Sequence, residues 1–290
     1  MSAIAQQNSR FSPIMRLPTE LLDATLSMVP PEDIETSSLV SHQWRRASLR
    51  YVFSEVTIDL TDDARNFAAC NEFIKKQVAT KEDIAPFIKV LKVGGIFFNK
   101  PVLDVDVLLK TVERLPCLRS LELEHVSIVV STPSSSIQGL NRHRDIHSVT
   151  MRGVKTLNES PYEGVISVLC SFSRISSLEF IGFEDKLGKM KGSEHAEVPL
   201  WSGPGPAVSR LVITHHLPLA VFLPILAPAS GSTLSHLEIS CRSLTDLKAA
   251  GDFLRDTGTN LVSLILDIWR LNMVKNERYL ISESQIFTLE

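Results

Sequence analysis

Along most of this chain, apolar and polar residues alternate in short phrases that return at a nearly constant interval. The stretches "FIKVLKVGG", "LRSLELEHV", "IHSVTMRGV", "ISSLEFIGF", "VSRLVITHH", "LSHLEISCR" and "LVSLILDIW" share a central aliphatic position. These positions are Leu91, Leu121, Val149, Leu178, Leu211, Leu237 and Leu264, with successive spacings of 30, 28, 29, 33, 26 and 27. Alternation with period two turns one face of a strand inward, so Leu121 and Leu123 face in while Glu122 and Glu124 face out. Between the phrases, "VDVLLKTVERLP", "YEGVISVLCSFSR" and "LTDLKAAGDFLRDTGTN" carry helical spacing, the last with Gly258 suited to a helix C-terminus. A strand-then-helix unit of about 29 residues predicts right-handed crossovers and a parallel sheet lining the concave face of a solenoid over residues 84–290. A doubly wound sheet is the alternative, but no Gly-rich strand-to-helix turn supports a nucleotide site. One period after Leu264, "RYLISESQIFTLE" predicts a further strand near Ile286–Leu289.

The beginning of the chain has a different rhythm. Residues 1–11 are polar and read as disordered; "SPIMRLPTELL" then offers a helix start, with Pro18 tolerated in a first turn because its missing N–H would be unpaired there. Leu17, Leu21, Leu22, Leu26 and Val29 form one apolar helical stripe. Pro30 and Pro31 end that helix, and Glu32 and Asp33 suit the positive end of the next. Ile34, Leu39, Val40 and Trp44 supply the following apolar positions, Ser37, Ser38 and Ser41 interrupt them, and Arg45, Arg46 and Arg50 are read as solvent-side cations. Helices this short bury too little area to stand alone, so residues 12–55 need a partner or a docked domain. Residues 56–83 read as a connection: a strand in "SEVTIDL", then a helix in "ARNFAACNEFIKKQVA" capped by Thr61-Asp62-Asp63.

The order "LPTELL…VPPEDIETSSLVSHQWRR" resembles an F-box. Leu17, Pro18, Glu20, Leu21 and Leu22 match its opening; Pro31, Asp33 and Ile34 its middle; Ser38, Leu39, Val40, Ser41, Trp44 and Arg45 its close. The resemblance covers about 40 residues, and the repeats resemble the leucine-rich-repeat class of F-box proteins, without a clean Asn at the usual turn position. It implies a non-catalytic substrate receptor that binds a Skp-type adaptor, and through it a cullin, in a ubiquitin ligase. Adaptor contact then falls to Leu17, Pro18, Leu21, Leu22, Ile34, Leu39, Val40 and Trp44. The family's usual aliphatic residue after the Leu-Leu pair falls on Thr25, where a hydroxyl forgoes part of the roughly 1.5–3 kcal/mol of a buried aliphatic side chain. The same block could instead be an N-terminal cap on a leucine-rich scaffold with no ubiquitin role.

On the repeats, the outward residues Glu122, Glu124, Glu179, Arg210 and Glu238 are the candidates for holding an unknown protein substrate. Their mildly acidic balance favours a basic or mixed partner. Trp201 joins them from the insertion 184–207, rich in Gly and Pro, where the spacing lengthens to 33; it serves either as a recognition anchor or as a side chain folded onto the core.

Bulk properties narrow the rest. With 44% apolar and 22% charged residues and a net charge of −3, the chain is globular and carries no basic excess to call for nucleic acid or an anionic membrane. "LPLAVFLPILAPA" is too short and too broken by Pro to span a bilayer, and "MSAIAQQNSRFS" lacks a signal-peptide core. Cys70, Cys117, Cys170 and Cys241 lie far apart, as in a reducing cytoplasmic or nuclear setting. His125, His147, His195, His236 and the adjacent His215-His216 have no ligand spacing, so neither metal nor cofactor is expected. "RHRDIH" lacks the Gly-rich loop and Asp-Phe-Gly of a kinase, and no nucleophile elbow or phosphate loop is present, so no enzyme is expected.

Overall fold

A computed structural model of the chain describes residues 17–59, 84–95, 100–130, 144–156, 162–183, 205–214 and 217–269, and 284–289 by their backbone. The fold is mixed α/β. Three helices open it: α1 (Thr19–Leu26), α2 (Pro31–Ser37) and α3 (His42–Val52). Pro31 starts α2 at the position that needs no N–H, and Ser41 caps α3 by accepting the Trp44 N–H at 3.3 Å.

Eight parallel strands follow in chain order: β1 (Glu55–Asp59), β2 (Val90–Gly94), β4 (Ser120–Glu124), β6 (Asp145–Arg152), β8 (Arg174–Ile181), β9 (Ala207–Thr214), β10 (His236–Cys241) and β11 (Ser263–Trp269). The seven aliphatic positions that mark the sequence period are direct cross-strand partners, Leu91 to Leu121 to Val149 to Leu178 to Leu211 to Leu237 to Leu264. All seven are buried. A one-residue slip would turn each to the other face, so burial pins the register.

Helices α4 (Val105–Glu113), α5 (Glu163–Cys170), α6 (Leu219–Ser230) and α7 (Leu244–Thr257) contribute buried side chains to the same core. Phe222 of α6 stands at its centre, with ring centroids 5.6 Å from Tyr162 and Phe180 and 6.4 Å from Phe183. Arg144 ties down the end of α4 and the turn after it by donating to the carbonyls of Val112 (2.6 Å), Leu115 and Leu118 (3.2 Å), the first two of which also accept a backbone N–H.

Turns after the strands stack as well. The N–H of Gly95 donates to Glu124 O (2.9 Å), His125 to Arg152 O (2.8 Å), Gly153 to Ile181 O (2.8 Å) and Gly182 to Thr214 O (3.2 Å). His125, Gly153 and Gly182 take left-handed backbone, with φ of 50°, 57° and 65°. A Cβ on Gly153 would lie 2.3 Å from His125 Nδ1, so this glycine is demanded twice, by conformation and by space.

The structure corrects some expectations and adds to others. The last strand, β12 (Ser284–Leu289), occupies the expected place but runs antiparallel to β11, pairing Leu289 with Leu264 and Ser284 with Trp269. "LAVFLPILAPAS" forms helix α6 despite Pro224 and Pro228. Both prolines are exposed, four residues apart on the outer stripe, so the lost hydrogen bonds lie away from the core. Gly258 does follow α7, but with φ −72° it uses no left-handed freedom. A second, unforeseen sheet joins β3 (Val102–Asp104), β5 (Ser127–Val129) and β7 (Lys155–Thr156), all parallel. The N-terminal stripe splits, with Leu22 and Leu26 buried and Leu21 exposed. Arg50 keeps 40% of its side chain exposed and in addition pairs with Asp23. The expected helix over 64–79 and residues 184–204 of the insertion 184–207 lie outside the described residues.

Candidate adaptor and substrate surfaces

The three N-terminal helices have a small core of their own: Leu22, Leu26, Trp44 and Ala47, with Leu17 and Tyr51 packed against it. Polar ties reinforce it. Tyr51 Oη donates to Asp23 Oδ1 at 2.6 Å, Arg50 pairs with the same carboxylate, and Gln43 Nε2 donates to Leu17 O at 2.8 Å. The Arg50 guanidinium also lies 5.3 Å from the Tyr51 ring centroid. Phe53, directly after α3, packs instead against the sheet core, and Ser54 O accepts the N–H groups of Lys89 and Val90. The module therefore passes into the sheet through its first strand.

The eight residues singled out for adaptor contact fall into two groups. Leu22, Ile34 and Trp44 are buried and Leu17 is half-buried, so they hold the module together. Pro18 is exposed at the start of α1. Leu21 (53% exposed), Leu39 (82%) and Val40 (46%) stand outside, joined by Met28 (83%), which sequence reasoning missed. Met28 sits in the turn between α1 and α2, where no periodicity marks it; an apolar residue two positions before Pro30 was the available signal. Thr25 is also exposed, and its Oγ1 donates to Leu21 O at 2.8 Å, while Leu26 is fully buried. The hydroxyl is satisfied by the helix itself, so no internal packing is lost at Thr25.

The outward face of the sheet is built by register. Thr57, Lys92, Glu122, Thr150, Glu179, Val212, Glu238 and Ile265 stand side by side across eight strands. Lys92 pairs with Glu55 at 2.7 Å and Glu122 at 3.8 Å, and Arg210 with Glu179 at 4.0 Å. The Glu55 hydrogen bond holds the Lys92 ammonium above the ordinary lysine value, with partial burial opposing it. In the next row Glu124 lies 3.8 Å from Arg152 and from His125. Ser148 Oγ donates to Ser120 Oγ at 2.7 Å on the other side. Of the substrate candidates, Glu122, Glu124, Glu179, Arg210 and Glu238 thus share one face, and Trp201 lies outside the described residues.

Among the described residues no three His, Cys, Asp or Glu side chains gather as metal ligands, and no helix is long and apolar enough to cross a membrane. Residues 14–53 match the F-box domain family model. None of the curated proteins compared matches the chain.

Proposed function

We propose that this chain is a non-catalytic substrate receptor of a Skp–cullin–F-box ubiquitin ligase, acting in the cytoplasm or nucleus. Its F-box, within residues 12–55, binds a Skp-type adaptor that connects it to a cullin. The repeated units of 84–290 form a leucine-rich-repeat-like solenoid whose outward sheet face holds a protein substrate. One observation carries the reading: the F-box match at 14–53 coincides with helices that leave Leu21, Met28, Leu39 and Val40 exposed around a closed core. Exposed aliphatic side chains concentrated on one small module are what a partner surface offers.

The test is capture of a purified Skp-type adaptor by the full chain and by Leu21→Ala/Leu39→Ala. Because both residues are exposed, circular dichroism should be unchanged while affinity falls about tenfold or more. Full capture by the double variant, or none by the folded wild-type chain, would remove the ligase reading. The alternative, an interaction scaffold whose helices only cap the sheet, draws on Phe53 packing into the sheet core. Removing residues 1–52 separates the two, since a cap's loss unfolds the sheet and a docking module's loss leaves it folded.

A further inference from the structure

Resting on the substrate-receptor reading, we infer that the outward sheet face takes an extended, unphosphorylated segment with Lys or Arg at every third position. Two independent features point there. The first is spacing. In the central row, Glu122, Glu179 and Glu238 occur on β4, β8 and β10, separated by the neutral Thr150 and Val212. With neighbouring strands about 4.8 Å apart, these carboxylates recur at about 9.6 Å along the row. Three residues of polyproline-II chain make one full turn and cover about 9.3 Å, so such a chain laid across the strands presents every third side chain to a carboxylate.

The second feature is the state of the cations on this face. Lys92 lies between Glu55 and Glu122, Arg152 against Glu124, and Arg210 against Glu179. Phosphate would have to displace a carboxylate from each of them and would meet Glu238, which has no ion pair among the described residues. Basic side chains instead join existing carboxylates, with Glu122 open to them because Lys92 holds Glu55 more closely, 2.7 Å against 3.8 Å. Beside the central row, Ser120, Ser148 and Ser177 align across β4, β6 and β8, and their short side chains leave room for a backbone to lie close. Like-charge juxtaposition excludes phosphopeptides and complementary charge admits basic ones.

Fluorescence anisotropy with the full chain tests this, using three labelled probes: a peptide of repeated Arg-Ala-Ala, an isomer with the same arginines consecutive, and a peptide of repeated phosphoserine-Ala-Ala. The periodic arginine peptide should bind, lose affinity with added salt, and bind about threefold more tightly than its isomer. Glu122→Gln/Glu179→Gln/Glu238→Gln should weaken it about tenfold, as three exposed ion pairs allow, with circular dichroism and adaptor capture unchanged. Equal affinity for the isomer overturns the spacing argument. Tighter binding of the phosphopeptide, wild-type affinity in the triple variant, or no peptide binding by a chain that captures its adaptor overturns the proposal. Failure of adaptor capture with the expected peptide pattern would instead remove the ligase role and leave the basic-segment surface standing.

Discussion

In the sheet, apolar side chains from successive strands and four helices meet in one continuous cluster running from Ile58 to Leu264, whereas the three N-terminal helices close around Leu22, Leu26, Trp44 and Ala47 alone. The main ladder keeps its large apolar residues inside by register, and the sheet region exposes Val102, Leu244, Leu247 and Val262, all outside that ladder. The helices leave Leu21, Met28, Leu39 and Val40 out and lean on polar ties through Asp23. A small core beside exposed aliphatics marks a unit shaped by what it meets, while a long continuous core marks one shaped by its own folding.

Breaking the sheet core should give the largest effect. Phe222→Ala removes the ring on which Tyr162, Phe180 and Phe183 converge, and denaturant unfolding should show a loss of about 3–5 kcal/mol. Trp44→Ala deletes a larger ring from a smaller and less enclosed core, at about 3 kcal/mol, and the damage should stay local. Hydrogen exchange should accelerate over residues 19–52 and leave the amides of β4 to β9 protected; loss of protection in both would merge the two cores into one cooperative unit. Gly153→Ala should cost about 1–3 kcal/mol through left-handed strain and the His125 clash. Gly251, in the middle of α7 with open space around it, gives the contrast, since Gly251→Ala should gain about 0.5–1 kcal/mol. A last effect appears only in alkali. Burial, aided by the Asp246 and Asp267 carboxylates, pushes the Cys241 thiol up from 9.0 to about 11. The unfolded thiol ionises first, so this contribution is complete below pH 9 and is lost as pH rises to about 11. Cys241→Val should flatten that part of the pH–stability curve; an unchanged slope would mean that other groups set it.

The regions also differ in how far the sequence disclosed them. Alternation is binary, so Leu91 through Leu264 could be aligned by eye, and the alignment coincides with the strand register. A helix surface is continuous. Leu21 and Leu22 both look apolar, and only the position of α3 decides that Leu22 turns in and Leu21 out. Candidate partner residues were legible as types, but packing sorted Trp44 and Ile34 into the interior. Helix α6 was hidden because proline's penalty depends on which way the freed carbonyl faces, and β3, β5 and β7 are too short to carry a period of two.

The reversed direction of β12 bears on how such a protein can change its length. A sheet assembled from units of one polarity lengthens by copying a unit, because each new strand enters the ladder pointing the same way as its neighbours. Beyond β12 that rule fails, since a copied unit would arrive against a strand of opposite direction. Between β1 and β11, by contrast, a copied unit meets neighbours of its own direction on both sides.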